Sequence, residues 1–100
     1  MRLSFNEWTV SGEVFYLKEL EGEFACSVRI RGTAKREGVF TSNIMEMGCL
    51  IQKNVYEQAK KRGLKQYCNA RFSGHIESWQ RDAKTNPKIM FVVDYIMDIE

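Results

Sequence analysis

Histidine and cysteine are scarce in this chain, which has one histidine, His75, and three cysteines, Cys26, Cys49 and Cys68, in 100 residues. The cysteines are odd in number and widely spaced, with no CxxC, whereas a structural zinc site takes about four clustered soft ligands. Three reduced, buried thiols acting as small hydrophobes are expected, with no metal and no cofactor. Long hydrophobic runs are missing too. The longest, Ile89-Met90-Phe91-Val92-Val93, is strand-sized and far short of the roughly 18 residues a membrane span requires. The opening Arg2-Leu3-Ser4-Phe5-Asn6-Glu7 lacks the apolar stretch of a signal peptide. These absences lead to the expectation of a soluble, cytoplasmic product with no membrane partner. GxxxxGK[ST], GxGxxG and HExxH motifs do not occur. His75 has no recognisable nucleophile beside it, and no acids are paired at a spacing suited to acid–base work. No catalytic residue is expected, and no enzyme.

What is present is ordinary globular material, 44% apolar and 28% charged. One hundred residues supply a single core, so residues 1–100 are read as one domain. The net charge is only +2, but it is unevenly spread. Residues 29–88 hold thirteen of the fifteen Lys and Arg and five of the thirteen acids, a local balance of +8 against −6 for the two ends. Such asymmetry points to contact with a nucleic acid or another anionic surface.

Alternation with period two dominates the pattern. In the first run, Trp8, Val10, Val14 and Tyr16 fall on one face, and Gly12 marks a bend or a close backbone approach. Glu19 to Glu23 reads as a turn. In the second run Phe24, Cys26, Val28 and Ile30 alternate with Ala25, Ser27, Arg29 and Arg31, which places two arginines together on the wet face. Gly32 to Gly38 reads as a polar loop, and Val39 to Met47 as a third strand ending near Gly48. The period then changes: Ile51, Val55 and Ala59 stand four apart on a helix over about Leu50–Arg62. Lys60, Lys61 and Arg62 complement its dipole, and Gly63 is its C′ glycine. A fourth run, Gln66 to Trp79, puts Cys68, Ala70, Phe72, Gly74 and Ile76 inside and Tyr67, Asn69, Arg71, Ser73, His75, Glu77 and Trp79 outside. Gln80 to Lys88 is a hairpin loop, and Ile89 to about Ile99 a fifth, buried strand.

The order β-β-β-α-β-β predicts an all-β fold with one helix, the five-stranded Greek-key OB-fold barrel. A sandwich would need about seven strands and no helix. A ferredoxin-like fold would need two helices and four strands.

The collinear segments Val10-Ser11-Gly12-Glu13-Val14, Phe24 to Val28, Val39 to Ile44 with Met47-Gly48, Ala59 to Gly63, Ser73 to Ile76 with Trp79, and Val92 to Ile96 resemble those of bacterial single-stranded DNA-binding proteins. The resemblance spans roughly residues 8 to 99. It implies binding of single-stranded DNA, by base stacking and phosphate contacts, in replication, recombination or repair, and assembly into a homo-oligomer, a dimer or tetramer. The family's typical members continue into a glycine-rich segment and an acidic tip that recruits partners, and the resembling region stops short of such a tip. A phage, mobile-element or primosomal relative fits equally.

For such binding the residues supply stacking aromatics and cations. Trp79, on the outer parity of the fourth run, is the first candidate for stacking, with Tyr67 and Arg71 on the same parity. A tryptophan packed under its own hairpin is the competing reading. Phe40 is the second, beside a basic loop where the resembling family often places an aromatic. Arg29 and Arg31 are the leading phosphate contacts, followed by Lys35, Arg36 and Arg71, with Arg81, Lys84 and Lys88 in the loop after Trp79. Two other readings stay open. One is an interaction-only OB module of a replication or primosome assembly, with Trp8, Tyr16 and Tyr95 as its interface. The other is an OB protein that binds RNA or an oligosaccharide.

Overall fold

Period-two alternation becomes a closed barrel in the computed structural model, which describes residues 2–36, 39–80 and 82–100, with side chains for 7–32, 46–80 and 82–100. Its elements are β1 (Arg2–Glu19), β2 (Phe24–Arg36), β3 (Val39–Gln52), α1 (Lys53–Lys61), β4 (Asn69–Trp79) and β5 (Lys88–Met97). The strands close in the order β1-β2-β3-β5-β4, and β4 returns to β1. The pairs are antiparallel except β3 with β5, which run parallel and meet at Leu50↔Val92 and Ile51↔Val93. This is an OB-like barrel with its helix between the third and fourth strands, as the order of elements predicts.

One long strand makes closure possible. β1 pairs with β4 from Arg2 to Glu13 and with β2 from Glu13 to Glu19. Gly12 sits where the strand passes from one neighbour to the other, and a Cβ there would lie 2.5 Å from the Arg31 carbonyl oxygen. That is the close approach the sequence suggests for Gly12.

Val14, Cys26, Val28, Ile30, Ile51, Phe72, Val93 and Ile96 fill the barrel, all at most 2% exposed. Burying each branched or aromatic side chain among them contributes about 1.5–3 kcal/mol. From α1 and the turn after it, Tyr56, Ala59 and Leu64 join this core. The Tyr56 hydroxyl donates to Glu19 Oε1 at 2.7 Å, tying the helix to the end of β1. The helix ends in a Schellman arrangement. Leu64 N–H donates to Ala59 O at 2.9 Å and Gly63 N–H to Lys60 O at 3.1 Å, with Gly63 at φ +105°. All three cysteines are free and buried. Burial pushes the Cys49 thiol up to about 12 and, aided by Glu19, that of Cys26 to about 11.

Five expectations are corrected here. The fifth strand is not buried from its start, since Ile89 is 69% exposed. The stretch from Gly32 to Arg36 is strand, not loop: β2 runs on to pair Lys35 with Phe40 and Arg36 with Val39. The helix starts at Lys53, and Ile51 belongs to β3, fully buried. Tyr16 does not share a face with Val14, because a bulge at Phe15 shifts the register between them and turns Tyr16 outward. Tyr67 lies before β4, in a turn at φ +74°. Among the described residues, no helix is long and apolar enough to cross a membrane.

Candidate nucleic-acid interface

The bulge at Phe15 builds the most ordered cationic surface among the described side chains. On the outer face of the sheet, Tyr16 is paired with Arg29 and Glu13 with Arg31. The Arg29 guanidinium stands 5.7 Å from the Tyr16 ring centroid, and that of Arg31 4.4 Å from the centroid of Phe15. Each such contact at an exposed site is worth about 0.5–1 kcal/mol. It holds a flexible side chain in one place while its N–H edges remain able to donate. Arg31 also donates to Glu46 on β3 at 3.3 Å. Both partners of that pair are exposed, so it contributes at most about 1 kcal/mol, little enough for a phosphate to displace the carboxylate.

Arg71 on β4 and Arg31 line one shallow cleft of about 500 Å³. Glu13, Asp98 and Glu100 line it too, and Arg71 Nε lies 3.8 Å from Asp98 Oδ2. The carboxylates offset the second arginine, so the cleft is mixed in charge and Arg29–Arg31 is the cationic centre. Lys60 is taken up structurally, at 3.4 Å from Glu19 and 5.2 Å from the Tyr56 ring centroid.

Trp79 forms a second, separate cluster. It ends β4, paired with Arg2 and Lys88, and is 41% exposed, as its parity predicts. Lys84 is exposed in the adjoining loop, whose turn is held by Asp82 Oδ1 accepting from the N–H groups of Lys84 and Thr85. At the usual strand rise, Trp79 lies about 26 Å along β4 from Arg71, and Tyr67 lies beyond Arg71. The structure therefore does not gather Trp79, Arg71 and Tyr67 into one patch, although all three are exposed. The Lys35, Arg36 and Phe40 side chains and all of Arg81 lie outside the described residues. Their strands place Lys35, Arg36 and Phe40 on the β2–β3 hairpin that continues from Arg31. Trp8 is packing: its indole N–H donates to the His75 carbonyl at 2.9 Å, and its ring meets Phe91 edge-on at 6.0 Å.

No protein-family model matches this chain, and no curated protein matches it. The site therefore stands on its own geometry.

That geometry adds one group the sequence reading did not use. His75 Nδ1–H donates to Asp94 Oδ2 at 2.7 Å, with Glu77 Oε1 3.6 Å from the other ring nitrogen. Glu77, expected outside, is buried. The hydrogen bond to Asp94 raises the His75 pKa above its ordinary 6.5, against the opposing effect of burial, and the charges of Asp94 and Glu77 add to the rise. A raised folded pKa means that the imidazolium stabilises the fold fully below about 6.5 and loses that contribution as pH climbs through the folded value. Thermal melts from pH 6 upward should show a decline across that window. In His75→Gln the decline should be absent.

In the Arg29 row, Tyr16 and Gly48 are the residues whose placement sequence reasoning missed. Alternation alone puts Tyr16 on one face with Val14 and offers it only as part of a protein interface, and it makes Gly48 only a strand end. The signal available was Arg29 itself, since an outward residue of a central strand needs outward neighbours on both sides.

Proposed function

We propose that this chain binds single-stranded DNA, without chemistry, on the outer face of β1, β2 and β3. One observation carries the reading: Arg29 and Arg31 are held side by side over Tyr16 and Phe15 on this face of an OB-like barrel. That is the face through which OB-folds take oligonucleotides, together with the loops flanking it. Ordered arginines meet phosphates as rigid forks, and aromatics offer sequence-tolerant stacking. Trp79, with Lys84 and Lys88 near it, is the second contact, reached by a strand long enough to leave the first. Single-stranded RNA is the competing ligand, and competition between DNA and RNA oligomers of equal length decides between them. The resemblance to single-stranded DNA-binding proteins supports the same reading and extends it to replication, recombination or repair. It also extends it to a homo-oligomer, a dimer or tetramer. Ile89 and Tyr95 on β5, 69% and 68% exposed, are apolar surface that such assembly would cover.

Trp79 supplies the test. An unstructured thymidine oligomer should quench its fluorescence, measured in a Trp8→Phe background so that one indole reports. Trp79→Ala should cost about 1–3 kcal/mol of binding with little change in melting temperature, since an exposed side chain leaves no core cavity. Trp79→Phe should recover most of that loss, whereas Trp79→Leu should not. A sharp fall in melting temperature with binding per folded molecule intact would make Trp79 a packing residue instead.

A further inference from the structure

Gly48 has no structural reason to be glycine. It lies inside β3, its φ is not in the left-handed region, where the described glycines are Gly22 and Gly63, and a Cβ built on it meets nothing within 4 Å. A glycine in a strand interior is destabilising relative to residues with a side chain, so its presence here costs stability without improving packing. Its neighbours differ from it. Glu46, two residues earlier on the same outer face, is engaged by Arg31, and the intervening Met47 and the following Cys49 turn inward.

The register places Gly48 directly across from Arg29, and Arg29 directly across from Tyr16. This row of three on the outer face therefore has a bare notch at one end. At the other is a tyrosine 43% exposed, with the guanidinium between them held toward its ring. A side chain at position 48 would stand beside the Arg29 stem, about 5 Å away, and take up the open space on that side of the row. A glycine inside a strand often marks a bulge or a place where a ligand approaches closely, and the β2–β3 register runs through Gly48 without a bulge.

We propose that Tyr16, Arg29 and Gly48 form a base-binding seat, in which one nucleobase of a single strand stacks against the Tyr16–Arg29 pair over the space Gly48 leaves open. Bases stack on guanidinium planes as well as on aromatic rings, which leaves the Arg29 N–H edge for the adjoining phosphate, and Arg31, one inward residue further along β2, meets the next. The inference rests on the single-strand reading and adds to it the place of one base.

Gly48→Val separates binding from folding. Valine suits a strand better than glycine does and its Cβ has no neighbour within 4 Å here, so the variant should melt at or above the parent temperature. Its affinity for a fluorescently labelled thymidine oligomer should nevertheless fall about tenfold or more, the change that one lost base stack corresponds to. Tyr16→Leu should fall by a similar factor, and Tyr16→Phe should recover most of it. If Gly48→Val and Tyr16→Leu both bind as the parent does while Arg29→Ala weakens binding, the seat is wrong and the single-strand reading survives. If the parent chain does not bind the oligomer, both fall.

Discussion

Gly74→Ala should unfold the barrel or leave it barely folded, the largest stability effect of a methyl group added at any of the described glycines. Gly74 pairs with Trp8 on one side and Val93 on the other, at the point where the β4–β5 register shifts. A Cβ there would overlap the Val92 carbonyl oxygen and crowd the Val92 carbonyl carbon and the Trp8 ring. The first obstacle is backbone, and no rotamer change removes it. Overpacking against movable side chains costs about 1–3 kcal/mol, so a backbone collision should cost about 3 kcal/mol or more. That is a large part of the roughly 5–15 kcal/mol that holds a domain of this size. Melting temperature should fall by at least about 12 °C, at 4–8 °C per kcal/mol for a chain of this length. Gly48→Ala is the control. It is the same substitution in a strand interior with open space around it, and its melting temperature should hold or rise.

Replacing Arg29 and Arg31 together by alanine should produce the largest loss of binding. Two charge-assisted contacts at about 1.5–3 kcal/mol each correspond to an affinity loss of roughly 100-fold or more at low salt. The salt dependence should flatten as well, because each phosphate contact contributes about 0.7 to the slope of log K against log salt for a single strand. A drop of about 1.4 in that slope is the signature of two lost phosphate contacts. Folding should weaken only modestly, since each arginine also gives up an exposed cation–π contact worth about 0.5–1 kcal/mol. An affinity loss with an unchanged slope would mean that the arginines shape the surface rather than meet phosphates.

The fold was largely legible because its signals are local and redundant. Cys26, Val28 and Ile30 alternate with charged or small polar neighbours without interruption, and all three line the core. Gly63 ends α1 with the hydrogen bonds that a C′ glycine permits. What failed to show depends on pairing between strands. One extra residue at Phe15 reverses the facing of Tyr16, and nothing in Val14-Phe15-Tyr16-Leu17 announces it. Ile51 fits a four-residue helical stripe and an inward strand position equally well, and contact with β5 decides for the strand. Gly32 to Arg36 has the composition of a loop, but a hairpin partner turns it into strand.

The candidate site was legible in its cations and less so in its geometry. The alternation of Arg29 and Arg31 with apolar residues was enough to place both on the wet face. Which aromatic stands beside each could be read only from the register of β1 against β2. Trp79 was rightly placed outside by parity, but parity carries no information on distance, and strand length separates it from Arg71. His75 and Glu77 share the parity of Trp79, yet His75 is drawn to Asp94 on the neighbouring strand and Glu77 is buried beside it.

The central claim is that this barrel binds a single strand through ordered arginines, and one titration tests it most directly. Fluorescence polarisation of a labelled thymidine oligomer, with the parent chain added at 50 mM and at 200 mM salt, reads affinity and charge dependence together. Two phosphate contacts predict saturable binding whose log K falls against log salt with a slope of about −1.4 or steeper. No binding at 50 mM, or binding of equal strength at both concentrations, would contradict it.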